Sequence, residues 1–180
     1  VRTIEIPSLS PGKEMIGGFS ALAYQEENDK LWLLSDVENG YLLAIKNFKK
    51  TININKSKKK FDFSNIDIIK LKNKKGSQLK QKTDGEGLII LGDKGLILDE
   101  GSKFNPRRPF EIKRPPSLIE FDLKTGRKLD FKRLPFKPRR YFDIKKFGFQ
   151  ATGVESFSVF QDQGFIVATE GNINDKTVKD

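Results

Sequence analysis

The sequence predicts an all-β protein built from repeated antiparallel hairpins. Hydrophobic and polar residues alternate with period two in most of the apolar stretches, and patterns typical of helices are nearly absent. Short polar or glycine-containing turns join these stretches in pairs. The chain has 180 residues, of which 36% are hydrophobic and 15 are Phe, so it has enough apolar surface for a core. Wholesale disorder is therefore excluded.

Four hairpins follow one another along the chain. Their predicted strands pair as 18–25 with 31–36, 87–91 with 95–99, 117–123 with 127–134, and 154–160 with 164–169. The 117–134 hairpin has the clearest pattern, because its strands alternate cleanly and its turn contains Gly126. Residues 40–47 and 61–72 are predicted to be two further strands that follow the first hairpin.

The first, second and fourth of these hairpins are repeats of one another. Ser20, Glu86 and Glu155 occupy equivalent positions, at separations of 66 and 69 residues. A second equivalent set, near the end of the following strand, is Asp36, Glu100 and Glu170, at separations of 64 and 70 residues. Because the spacing is maintained at two positions, the repeat involves whole hairpins and not single residues.

Four short antiparallel strands per repeat are typical of a β-propeller blade. We expect blade 1 over about 18–72 with a Lys-rich insertion at 46–60, blade 2 over about 84–134 with a loop insertion at 102–116, and blade 3 from about 153. Residues 1–180 would then form a partial propeller of about two and a half blades. Closure takes about four to eight blades, so we expect the remainder of the propeller to be needed. The start at Val1 suggests a processed chain or a fragment.

The absence of Cys and His narrows the chemistry of the chain. It excludes disulfides, Cys- or His-ligated zinc, and a nucleophile activated by a His base within these residues. Carboxylate, hydroxyl, Lys and Arg chemistry remains, together with hard cations held by oxygen ligands. No apolar run approaches the roughly 18–20 residues that a membrane-spanning helix needs.

The net charge of +10 is concentrated in one part of the chain. Residues 46–82 contain 13 Lys and only two acids, Asp62 and Asp67, whereas the rest of the chain is close to neutral. Such a charge points to nucleic acid or an anionic membrane as a partner, and the competing interpretation is a solvated insertion. Lys far outnumbers Arg, and Arg is the residue that binds phosphates in a bidentate manner. We therefore favour the solvated insertion and expect no specific nucleic-acid partner.

The repeats place acidic residues at strand ends. The first strand of each propeller blade lines the central channel, so we expect these residues to converge there. The candidate metal ligands are Asp36, Glu86, Glu100, Glu155 and Glu170. Carboxylates about 4 Å apart repel by up to about 4 kcal/mol per pair, which a cation would offset, and Ca²⁺ or Mg²⁺ fits this set of oxygen ligands. The competing interpretation is that these residues only accept backbone hydrogen bonds between blades.

The candidate catalytic residues are Glu86 and Glu155, since a Glu beside a bound cation can act as a general base. For an anionic substrate the candidates are two pairs of adjacent arginines, because guanidinium groups bind phosphate in a bidentate manner. These pairs are Arg107 with Arg108 and Arg139 with Arg140. The competing interpretation, which we favour for these arginines, is a solvated loop or a structural ion pair.

The repeated segments resemble the phytase-like family described as having esterase-like activity. The matching segments are GGFSALAYQEENDKLWLLSD (17–36), DGEGLIIL (84–91), LILDEG (96–101), SLIEFDLKTGRKL (117–129) and GVESFSVFQDQGFIVATEG (153–171). The resemblance implies a periplasmic or secreted propeller hydrolase that acts on a small anionic substrate, a phosphate ester or a related ester. Two alternatives remain open: a non-catalytic binding or scaffold module of the cell envelope, and a lactonase-like propeller.

Overall fold

The computed structural model describes residues 16–37, 40–54, 63–79, 83–101, 116–133, 149–160 and 164–173. These residues form ten strands and one short α-helix. The strands are β1 (Phe19–Gln25), β2 (Lys30–Ser35), β3 (Tyr41–Lys46), β4 (Ile66–Lys70), β5 (Gly85–Leu91), β6 (Lys94–Asp99), β7 (Ser117–Asp122), β8 (Lys128–Arg133), β9 (Phe149–Phe160) and β10 (Gly164–Ile173). The helix α1 is Phe48–Ile54. The prediction of an all-β chain is confirmed.

The strands form three antiparallel sheets in chain order. β1 to β4 make the first four-stranded sheet, β5 to β8 make the second, and β9 pairs with β10. The innermost strands are neighbours, because β1 packs beside β5 and β5 beside β9. Four-stranded antiparallel sheets whose first strands lie side by side are blades of a β-propeller. We therefore call β1–β4 blade 1 and β5–β8 blade 2, and β9–β10 is the described part of blade 3.

The main hydrophobic core lies between blades 1 and 2. Leu34, Leu42, Ile97 and Phe121, all at most 1% exposed, are among its most buried large side chains. Every second residue of β2 and β3 packs into this core, as the period of a strand requires. A chain of two hydrogen bonds also links the blades, and it begins within blade 1, where the Trp32 Nε1 donates to the Gln25 Oε1 at 3.0 Å. The Gln25 Nε2 in turn donates to the Gly92 carbonyl at 2.9 Å. The two blades are therefore held in one arrangement by both packing and hydrogen bonds.

A second, smaller cluster covers the other face of blade 1. Leu33, Leu43 and Ile45 are buried there, and Phe48 of α1 packs against them. The sequence pattern predicted an insertion without helix at this point, so α1 is a difference from that prediction. The first turn of the helix is fixed by Asp29, whose carboxylate accepts from the Lys49 backbone N–H at 3.0 Å. Tertiary contacts, and not local propensity, thus decide the helix.

Blade 2 contacts the connection that follows blade 1 through its β7–β8 turn. Gly126, at φ +69°, lies so close to the Lys70 carbonyl that a Cβ at Gly126 would be 2.1 Å from its oxygen. Lys72 then donates its N–H to the Gly126 carbonyl at 2.8 Å. The turn predicted from the sequence therefore also fixes how the two blades meet. In the part of the chain that the structure describes, no helix has the length and hydropathy to span a membrane.

Candidate functional site

Three carboxylates converge at the start of the innermost strand of blade 2. Asp84 immediately precedes β5, Glu86 lies within β5, and Glu100 follows the last residue of β6. One carboxylate oxygen from each lies within 4.8 Å of the other two. Glu100 is 4% exposed, whereas Asp84 and Glu86 are half-buried, so the group is covered on one side and open on the other.

A neighbouring buried aspartate holds the backbone of this site. The Asp99 side chain is 1% exposed, and its Oδ1 accepts the N–H groups of Asp84 and Gly101, each at 3.1 Å. The Glu100 N–H donates to the Asp84 carbonyl at 2.7 Å. The chain entering β5 and the chain leaving β6 are therefore tied together, and this brings Asp84 and Glu100 into proximity.

A β-bulge determines where the Glu86 side chain leaves the sheet. Gly85 pairs with Asp99 and Gly87 with Leu98, so Glu86 is the extra residue on β5. Bulges re-aim side chains and are common next to active sites.

The same bulge recurs in each of the three sheets. Ser20 is the extra residue between Phe19 and Ala21 in blade 1, and Glu155 is the extra residue between Val154 and Ser156 in blade 3. These are the equivalent positions that the sequence repeat identified. The equivalent residues of the sequence are therefore bulge residues of the first strand in each sheet.

Blade 1 uses the same scaffold with fewer acidic groups. Its Asp36 N–H donates to the Gly18 carbonyl at 2.8 Å, as Glu100 does to Asp84 in blade 2. The position of Asp99 is taken by Ser35, whose hydroxyl donates to the Gly17 carbonyl at 2.6 Å. The three positions of blade 1 that are equivalent to Asp84, Glu86 and Glu100 are occupied by Gly18, Ser20 and Asp36. Blade 1 therefore has one carboxylate where blade 2 has three.

Comparison with known proteins gives the family. A family model described as "Phytase-like: Esterase-like activity of phytase" matches residues 14–180. The chain belongs to this phytase-like family. No curated protein sequence matches the chain significantly. Membership, together with the blade architecture, supports a hydrolase-type propeller and confirms the resemblance seen in the sequence.

One solved structure with a similar chain path is a GH43 glycoside hydrolase. Its active site was engineered to display both endo-xylanase and exo-arabinofuranosidase activity. It is 17% identical to the phytase-like chain, with a TM-score of 0.44, and the match covers 91% of this chain and 26% of that one. The phytase-like chain thus spans about a quarter of the length of that protein. Similarity of this degree assigns no activity to the phytase-like chain.

The predicted site residues are distributed as follows in the phytase-like chain. Glu86 and Glu100 are brought together, and Asp36 lies outside their group, at the equivalent position of blade 1. The backbones of Glu155 and Glu170 lie in β9 and β10, but their side chains fall outside the described residues. The two arginine pairs, Arg107–Arg108 and Arg139–Arg140, also fall outside them.

Asp84 is the member of the site that sequence reasoning did not select. Its signal was present, since Asp84 and Glu86 stand two residues apart where a strand begins, and this spacing favours the same side of a strand. The repeat comparison hid Asp84, because the equivalent residues are Gly18 and Gly153. The residue that completes the site, Asp84, thus has no acidic equivalent in the other two hairpins.

The electrostatics of the group favour a cation. Two unit charges 4.8 Å apart repel by about 3.5 kcal/mol at an effective dielectric constant near 20. Two ways to relieve this are protonation and a bound cation, and carboxylate oxygens are the ligands that Ca²⁺ and Mg²⁺ prefer. The donor set of Asp84, Glu86 and Glu100 therefore fits a hard divalent cation.

A separate cleft of about 700 Å³ lies between blades 1 and 2. It is lined by residues at the other ends of the strands, among them Gln25, Trp32 and the Gly92–Asp93 turn. The carboxylate group is not part of this lining. The two features therefore occupy opposite ends of the blades.

Proposed function

We propose that the chain is part of a phytase-like hydrolase that cleaves a phosphate ester or a related ester with the help of Ca²⁺ or Mg²⁺. The observation that carries this proposal is the convergence of Asp84, Glu86 and Glu100 within 4.8 Å at the start of the innermost strand of a phytase-like blade. A bound divalent cation polarises a phosphoryl or acyl oxygen and lowers the pKa of a coordinated water.

The protein's own groups have distinct roles in this proposal. Asp84, Glu86 and Glu100 would hold the cation, and Asp99 positions Asp84 by accepting its backbone N–H. Glu155 is our candidate general base, because it occupies the same bulge position in β9, the strand beside β5. A base held outside the coordinating group is free to take a proton from the attacking water.

The proposal also covers the substrate and the cellular location of the protein. We assign a small anionic ester as substrate, with the guanidinium groups of Arg107, Arg108, Arg139 and Arg140 as candidates for binding its charge. We also propose that the protein is periplasmic or secreted, following the resemblance to its family.

The decisive experiment is a hydrolysis assay on the full-length protein. Phosphate esters, carboxylic esters and lactones are compared as substrates, with added Ca²⁺, with added Mg²⁺ and with EDTA. We expect phosphate-ester turnover that EDTA abolishes and that Glu86→Gln lowers by about a hundredfold or more, because loss of an outer-shell partner of a metal site alone typically costs about 10–100-fold. The matched control is Glu120→Gln, an equal change on β7 of the same blade, where Glu120 pairs with Lys94 at 2.9 Å.

Other results of this assay would favour a different function. Turnover of lactones and not of phosphate esters would favour a lactonase-like propeller. No turnover of any ester, in a protein that binds Ca²⁺ through Glu86, would favour a binding module. Equal activity of Glu86→Gln and Glu120→Gln would contradict the proposed site.

A further inference from the structure

A strongly basic surface lies at the outer edge of blade 2, remote from the carboxylate group. We name it the basic edge and define it as residues 70–79 and 127–133. It contains eight Lys and Arg side chains and one carboxylate, that of Asp130, so its formal charge is +7. All of these side chains are exposed or half-buried. Residues 70–79 of the Lys-rich segment thus belong to a fixed structural surface.

Backbone hydrogen bonds hold the two halves of the basic edge side by side. Lys72 donates its N–H to the Gly126 carbonyl at 2.8 Å, and the Lys128 N–H donates to the Lys72 carbonyl at 2.9 Å. The Lys74 ammonium lies 3.8 Å from the Asp130 carboxylate. The cations are therefore presented by an ordered strand and the segment paired with it.

Apolar side chains are interspersed among these cations. Leu129 and Phe131 on the edge strand β8 remain 36% and 39% exposed. The Lys128 ammonium lies 4.2 Å from the centre of the Phe131 ring, and a shallow groove of about 560 Å³ runs past Phe131, Lys74 and Lys75. Cations that surround exposed apolar side chains are typical of surfaces that bind at a membrane interface.

We propose that the basic edge docks the protein onto a membrane surface rich in anionic phospholipids. The cations would contact lipid phosphates, and Leu129 and Phe131 would enter the interfacial layer. Six of the eight cations are Lys, whose point charge suits a diffuse layer of headgroups, whereas nucleic-acid contacts favour Arg. In its described residues the edge offers one exposed aromatic ring, and not the series of rings on which successive bases stack.

Docking by this edge would leave the carboxylate group accessible. β8 is the outermost strand of blade 2 and β5 the innermost, so about 14 Å separates them at the usual spacing of paired strands. The proposal does not depend on catalysis, because vesicle binding is measured without any substrate.

The test is co-sedimentation of the protein with vesicles of phosphatidylcholine alone or mixed with phosphatidylglycerol. We expect binding to the anionic vesicles only, and release at high salt. Lys75→Glu/Lys132→Glu should weaken this binding by about 30-fold or more, from about 1 kcal/mol per cation lost. The matched control is Lys49→Glu/Lys50→Glu, with the same charge change on exposed lysines of α1, the helix that covers the far face of blade 1.

A second pair of variants separates docking from simple charge attraction. Phe131→Ser should weaken binding to anionic vesicles several-fold, whereas Leu91→Ser, at a 51% exposed residue of β5, should leave it unchanged. Equal losses from the two charge-reversed variants would overturn the proposal, as would no effect of Phe131→Ser. Tighter binding of single-stranded DNA than of anionic vesicles, lost in Lys75→Glu/Lys132→Glu, would instead assign the edge to nucleic acid.

Discussion

Replacement of Glu86 by Gln should stabilise the protein without divalent cations and destabilise it with them. Glu86 contributes to two of the three carboxylate pairs, and at the 4.8 Å limit of their separation each pair repels by about 3.5 kcal/mol at a dielectric constant near 20. Because Glu86 is half-buried, solvent screens much of this energy, and we expect a gain of about 1–3 kcal/mol in EDTA. Gln keeps the shape of the side chain, so packing is unchanged.

With a saturating cation the sign reverses. A ligand at about 100 times its dissociation constant stabilises the wild-type fold by about 2.7 kcal/mol, and a site that has lost a ligand forfeits most of this. For a protein of this size each kcal/mol is worth roughly 2–4 °C in Tm. Glu86→Gln should therefore melt higher than wild type in EDTA and lower in Ca²⁺ or Mg²⁺.

The assay is thermal unfolding of wild type, Glu86→Gln and Glu120→Gln, each in EDTA and in Ca²⁺. Glu120→Gln removes one exposed ion pair with Lys94, so its small effect should have the same sign in both solutions. A Glu86→Gln variant whose Tm shifts equally in EDTA and Ca²⁺ would refute the argument. The three carboxylates would then be architectural.

Three further predictions concern the fold. Gly126→Ala should lower the free energy of unfolding in urea by about 2–4 kcal/mol, because the new Cβ would be 2.1 Å from the Lys70 carbonyl oxygen. Gly92→Ala, at φ +61° with open space around it, should lower it by only about 1 kcal/mol. Equal losses of stability in the two variants would exclude the clash. Three hydrogen bonds within the β7–β8 turn, led by that from the Thr125 hydroxyl, lower the pKa of Asp122 below its ordinary 3.8. The stabilisation of the fold by the Asp122 carboxylate is therefore present above pH 3.8 and lost as the pH falls through the lowered pKa. Asp122→Asn should consequently lower the free energy of unfolding in urea less in acid than at neutral pH, and an equal loss at both would contradict this. Leu34→Ala, at the fully buried contact between blades, should cost about 2–5 kcal/mol in the same measurement, and a loss below 1 kcal/mol would indicate that the blades do not pack as described.

The strands could be predicted from the sequence because their signal is local. Period-two alternation at residues 117–123 and the glycine of the following turn are properties of neighbouring residues, and they recur in β7 and Gly126. The helix α1 could not be predicted in this way. It depends on Phe48 packing against blade 1 and on Asp29 accepting the Lys49 N–H, contacts with residues that precede it in the chain.

The all-β class, the spacing of the hairpins and the candidates Glu86 and Glu100 follow from the order of residues alone, because period-two alternation and spacing are properties of the linear sequence. That Asp84 joins Glu86 and Glu100 depends on contacts between strands. Residues 84 and 100 meet because β5 pairs with β6 and the Glu100 N–H donates to the Asp84 carbonyl. Likewise, the pairing of Lys72 with Gly126 and Lys128 decided that part of a Lys-rich segment becomes a fixed surface. Such pairings bring together residues far apart in the sequence, which local patterns do not encode.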